Sequence, residues 1–187
     1  MSKIKRGVLF IVILAVFLLA SSVGMEYYVV HQLNGEVTGR NRPFAALTVE
    51  PEDTLDLLVA GDSESYNSVS TMRLWDDKGI TTYDCGQGAQ RIPETYYMLK
   101  HAFKKQSPKI VILETNTLFR DIGAVKSTQE ILTQAGQYYL PVFRYHNLWK
   151  TVVDEPEMHT NYKGFVIRDE VDPYEGKPDY MKKKKNI

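Results

Sequence analysis

Leu55-Asp56-Leu57-Leu58-Val59-Ala60-Gly61-Asp62-Ser63 is the stretch that decides the fold of this chain. It is short, apolar and rich in strand-forming residues, and it stops at a glycine. It therefore predicts a central β-strand with a tight turn at its carboxyl end. The residues that follow favour helix, and over 65–78 Val69, Met72 and Trp75 have the spacing of one buried face. A strand that hands a small hydroxyl residue to the first turn of a helix sets that hydroxyl on the carboxyl edge of a sheet.

The same rhythm continues downstream. Residues 80–83 read as a second strand ending at Asp84-Cys85-Gly86-Gln87-Gly88, and Pro93 opens a helix that reaches residue 105. Lys109-Ile110-Val111-Ile112-Leu113 is the most hydrophobic strand and discharges into Glu114-Thr115-Asn116. Strands alternating with helix-length connections predict an α/β fold, a parallel sheet with helices on both faces. Ligands in such sheets bind at the strand carboxyl ends, where chain order reverses. Ser63, Gly86 and Asn116 all fall just past such an end. Residues 127–137 and 139–153 read as further helices, so the α/β domain spans 54–153.

Upstream, Lys3, Lys5 and Arg6 lie in a basic segment, 1–6, before residues 7–25, nineteen positions without a charge. As a helix those nineteen span roughly 28 Å, close to a hydrocarbon core of ~30 Å. The basic flank orients the N-terminus to the cytoplasm and the remainder outside, a single-pass protein of the cell membrane. Ala20-Ser21-Ser22 also fits a signal-peptide cleavage site, but the apolar run is long for a signal and continues beyond it. Residues 26–53 read as an extracytoplasmic lead-in or stalk with one short edge element at 44–49. Residues 154–187 read as an irregular charged tail ending in Met181-Lys182-Lys183-Lys184-Lys185.

Composition narrows the function. Of 187 residues, 23 are basic and 23 acidic, so no basic surface for nucleic acid is expected. Cys85 is the single cysteine, which excludes an internal disulfide and a cysteine-based zinc cluster. No cofactor or metal is expected.

The three strand-end blocks resemble those of the SGNH, or GDSL-like, hydrolases and acyltransferases. In that family a Gly-Asp-Ser supplies the serine nucleophile, matched by Gly61-Asp62-Ser63. A glycine after the next strand lends its N–H to the oxyanion hole; Gly86 fits, with Gly88 as the alternative. An asparagine after the following strand completes the hole, and Asn116 fits. The resemblance covers about residues 55–119 and implies a flavodoxin-like three-layer α/β/α sandwich behind one transmembrane helix. It looks closest to the anchored envelope branch related to D-alanyl-lipoteichoic-acid and polysaccharide acetylation proteins, which also carries an aromatic segment like Arg144-Tyr145-His146-Asn147-Leu148-Trp149. That branch implies chemistry on ester-linked acyl groups of a cell-wall or exported polysaccharide, beside a membrane-bound O-acyltransferase and with the lipid bilayer as a further partner.

Each block also has a plainer reading. Asp62 and Ser63 make a helix N-cap, Gly86 a turn glycine and Asn116 a loop amide. Cys85 reads as a small buried residue, and His146 as a packing histidine more readily than a surrogate base. The family's Asp-x-x-His is absent: Tyr28, Met98, Phe143 and Pro156 stand three residues before the four histidines. Serine needs a base to become a nucleophile, so an impaired or inactive enzyme is expected. Three assignable strands and the missing block suggest an incomplete fold, the front part of a longer protein. The competing expectation is a non-catalytic envelope protein that binds a glycan or a membrane-bound acyltransferase.

Overall fold

All four residues of β1 (Leu57–Ala60) are buried, and the fold is arranged around them. The computed structural model describes residues 2–153 of a chain that divides into two units, Met1–Thr151 and Val152–Ile187. The tail expected over 154–187, with its lysine run and His159, lies outside the described residues. In chain order the elements are α1 (Lys3–His31), α2 (Arg42–Val49), β1, α3 (Ser63–Ser68), α4 (Thr71–Lys78), β2 (Thr82–Asp84), α5 (Ile92–Ala102), β3 (Ile110–Leu113), α6 (Ala124–Tyr139), α7 (Pro141–Arg144) and α8 (Leu148–Val153). The protein is mixed α/β and mostly helical, with a small parallel sheet in the order β2-β1-β3. Leu58 lies level with Tyr83 on one neighbour and Val111 on the other.

Strand alternation explains the core. Leu58 and Ala60 point to one face and pack with Phe44 and Leu47 of α2, Met98 and Ala102 of α5, and Cys85. Burial pushes the Cys85 thiol up to about 12, so it is an inert packing residue. On the opposite face Leu57 shares a groove with Val69, Leu74 and Ile112.

Helix α1 has 29 residues, and its most apolar window reaches a mean hydropathy of 2.8 with only 6% buried. It is long and apolar enough to cross a membrane. It does not stop at the apolar boundary near residue 25. It runs to His31, where Asn34 and Gly35 take positive φ values of 47° and 74° and end it. Gly35 is forced: a Cβ there would lie 2.7 Å from the Ala45 carbonyl of α2. Val29 of α1 forms a second core with Val37, Ala45 and Tyr145, and the Ser22 hydroxyl accepts the Val142 N–H of α7 at 3.2 Å.

Three expectations change. The element at 44–49 is helix α2, opened by Pro43 in its first turn, and it supplies core residues rather than a sheet edge. The helix read across 65–78 breaks at Val69, whose backbone is extended, and restarts where the Ser70 hydroxyl accepts the Arg73 N–H. Met72 and Trp75 are consequently 69% and 54% exposed, not a buried face. The most apolar strand, β3, expected within a sheet covered on both faces, is an outer strand of the sheet among the described residues, and all four of its residues are exposed.

Leu58→Ala is expected to cost about 2–5 kcal/mol, because a fully buried side chain at the sheet centre leaves a cavity that short strands refill poorly. Thermal melting of the detergent-solubilised chain against wild type measures it.

Candidate active site at the strand ends

One device closes all three strand ends: a carboxylate accepts the backbone N–H two residues on. Asp62 takes the Glu64 N–H at 2.9 Å, Asp84 takes the Gly86 N–H at 2.7 Å, and Glu114 takes the Asn116 N–H. These short-range bonds add to backbone bonds that carry the ladder into the turns, Cys85 N–H to the Val59 carbonyl at 2.7 Å and Glu114 N–H to the Ala60 carbonyl at 2.8 Å.

After β1, Gly61 adopts φ +153°, and a Cβ there would lie 2.4 Å from the Glu114 Cβ. Only glycine lets the turns after β1 and β3 approach so closely. Asp62, fully buried, caps α3 and pairs its second oxygen with Arg120. Ser63 follows, half-buried, as the first residue of α3, where the helix leaves its N–H unpaired.

Asn116 opens the 3₁₀ turn Asn116–Phe119 after β3. Its side-chain amide donates to Glu64 of α3 at 3.2 Å, and the Asp62 N–H reaches Glu114 at 3.4 Å. The Ser63 and Asn116 turns therefore share one rim. Gly86 borders the same α3 turn but faces Ser65, whose hydroxyl donates to the Asp62 carbonyl at 2.7 Å and to Asp84 at 3.5 Å. A Cβ on Gly86 would lie 1.9 Å from that hydroxyl. The Gly86 N–H is committed to Asp84, whose acidity burial weakens, raising its pKa. Gly88 is exposed, and its carbonyl accepts from Arg40, which also forks onto Glu94.

The rim is acidic. Carboxylate oxygens of Asp62, Glu64 and Glu114 lie within 4.8 Å of one another, a set that could hold a cation, with Arg120 on Asp62. Arg120 also lines a cleft of about 160 Å³ with Ile92, Leu118, Ile122 and Ile131. Sequence reading did not single out Asp84, Glu114 or Arg120. The first two carried a signal in retrospect, an acidic residue two places before Gly86 and two before Asn116.

Neither His101 nor His146 bonds to the rim. His101 stacks on Phe44 at 3.9 Å and bonds Thr48 at 2.9 Å, and on α5 it lies one residue from Ala102, whose carbonyl receives the Gln106 N–H near the strands' amino ends. His146 is exposed, with Nδ1 2.8 Å from the Phe143 carbonyl. Burial, aided by Lys104, Arg144 and Lys105, lowers the His101 pKa to about 3.

Two outcomes are expected. Gly61→Ala forces a methyl into Glu114 and a strained φ, and should destabilise by about 1–3 kcal/mol in thermal melting. His101 is neutral when folded, and its pKa near 3 lies below the ordinary 6.5, so the unfolded chain takes up the proton first. Stability should be intact above pH 6.5 and fall as pH drops towards 3, by at most about 1.4 kcal/mol per unit from this group. Melting across that range, wild type against His101→Phe, checks that the slope shrinks in the variant.

No protein-family model, curated protein or solved structure matches this chain.

Proposed function

We propose that this chain is a membrane-anchored, extracytoplasmic SGNH-like protein whose Ser63 rim handles ester-linked acyl groups of a cell-envelope polymer, with little catalytic power. One observation carries the reading: Ser63 and Asn116 end adjacent strands β1 and β3 and are tied across the gap by the Glu64–Asn116 hydrogen bond. The order β2-β1-β3 matches the first three strands of a flavodoxin-like sheet, whose crevice lies between β1 and β3. The N–H of Ser63 and the amide of Asn116 supply two donors for a carbonyl oxygen that gains charge. The cleft beside Arg120 is lined by isoleucine and leucine and has room for a short acyl chain. The lipid-facing composition of α1 supports the anchor, and the basic residues before it support a cytoplasmic N-terminus.

The weakness is chemical. Asp-x-x-His is absent from the sequence, and the bases on the rim are carboxylates, weaker than imidazole near neutrality. Three carboxylates also oppose a developing oxyanion. The full chain in detergent should hydrolyse p-nitrophenyl acetate at rates at least ~10⁴ below ordinary serine hydrolases. Ser63→Ala should abolish that residue of activity, and Asn116→Ala should cut it by ~10²–10³. Ordinary rates that depend on Ser63 would overturn the claim of impairment. Turnover unchanged in Ser63→Ala would remove the esterase-like identity.

The commitment of the Gly86 N–H to Asp84 favours a second reading. With one oxyanion donor already occupied, the rim suits a non-catalytic module that binds a glycan or a membrane-bound acyltransferase. A fluorophosphonate probe separates the two, since it marks an activated Ser63 and spares an inert one.

A further inference from the structure

Arg144 is a buried cation that the Glu94 and Glu26 carboxylates reach only through space. It is 5% exposed, its guanidinium sits 3.5 Å above the Phe44 ring, and no ion pair to it occurs among the described residues. Taking a guanidinium out of water is costly unless an anion meets it. Arg144 lines an open cleft of about 340 Å³ where α1, α5, α6 and α7 meet. Lys100 and Lys104 line the same cleft, and among the described residues Glu26 is the one carboxylate in its wall. Lys100 donates to the Tyr139 hydroxyl at 2.9 Å and lies between 5.1 and 5.9 Å from four tyrosine rings, while Lys104 lies 4.8 Å from that of Tyr138.

The cleft's height along α1 indicates what it meets. The Ser22 hydroxyl, within the uncharged run 7–25, accepts the Val142 N–H, so α7 packs beside the apolar part of α1 rather than beyond it. Leu140-Pro141-Val142-Phe143 is apolar, and Tyr139 and Phe143 are 62% and 46% exposed. Tyrosines and long cationic side chains above an apolar edge are the composition of a bilayer interface.

We propose that this cleft binds the phosphate headgroup of an anionic phospholipid. Arg144 supplies the planar fork and Lys100 and Lys104 the outer charges, while the α7 apolar edge rests against the acyl chains. The proposal rests on α1 as a membrane span and is independent of the Ser63 chemistry.

The test titrates the full chain, in uncharged detergent, with dihexanoyl phosphatidylglycerol, dihexanoyl phosphatidylcholine or inorganic phosphate by calorimetry. Phosphatidylglycerol should saturate one site. Arg144→Gln should raise its Kd at least tenfold, and so should the doubly substituted Lys100→Gln/Lys104→Gln, whose side chains are accessible and whose loss spares the core. Equal binding of phosphatidylcholine, affinity unchanged in both variants, or phosphate binding as tightly as the lipid would each overturn the proposal. Flotation of wild type with phosphatidylcholine vesicles tests the anchor separately: its failure sinks the span, while the titration reads the cleft by itself.

Discussion

The close approach of Gly61 to Glu114 is the constraint on which the site depends. Two parallel strands of four residues each give little ladder with which to align their ends. Beyond the Glu114 N–H bond to the Ala60 carbonyl, alignment comes from a missing side chain on one turn and a carboxylate on the other, Glu114 receiving N–H groups from Asn116 and from Asp62. That arrangement holds the Ser63 and Asn116 turns on a common rim. It also concentrates negative charge there, because the groups that fix the backbone are carboxylates. Rigidity and acidity at this rim have one cause.

The second organising contact is between α1 and α7. A helix suited to lipid normally leaves its soluble domain on a tether, free to tilt. Here the last turns of α1 are part of a core with Val37, Ala45 and Tyr145, and Gly35 seats the chain directly against α2. Helix α1 thereby packs on α2, which through Phe44 and Leu47 covers the face of β1 that opposes its groove. The distance from the apolar run to the sheet is spanned by packed side chains.

How far the sequence could be read follows from which forces are local. Strand β1, the proline-opened helix α5 and the apolar run of α1 are written in short patterns, and the structure places them where those patterns do. Ser63, Gly86 and Asn116 lie just past strand ends for the same reason. What escaped were features that need a partner distant in sequence. Phe44 and Leu47 look like a short edge element until α5 lies across them. Met72 and Trp75 have helical spacing, yet after the break at Val69 they border an open groove with Leu55 and Tyr83 and stay exposed. Arg120 is unremarkable as a charge in a loop, and its meaning comes from Asp62, 58 positions earlier by subtraction of their numbers. The stacking of His101 on Phe44, and with it the loss of that histidine as a base, is equally invisible along the chain.

Strand β3 sets a limit on how the fold distributes its stability. Parallel strands are ordinarily covered on both faces, which is why their sequences are apolar throughout. Ile110, Val111, Ile112 and Leu113 follow that pattern, yet they remain 56%, 38%, 39% and 40% exposed. At ~25 cal/mol per Å², surface left in water contributes nothing, so β3 adds less to stability than its composition suggests. It is held by its ladder to β1, by the Lys109–Asp56 ion pair at its start and by Glu114 at its end. An ion pair with an exposed lysine is a weak fastening. The turn at Glu114, where the backbone N–H bonds the Ala60 carbonyl and the carboxylate meets the Asp62 N–H, therefore adds to the ladder in keeping β3 in register, and with it the position of Asn116.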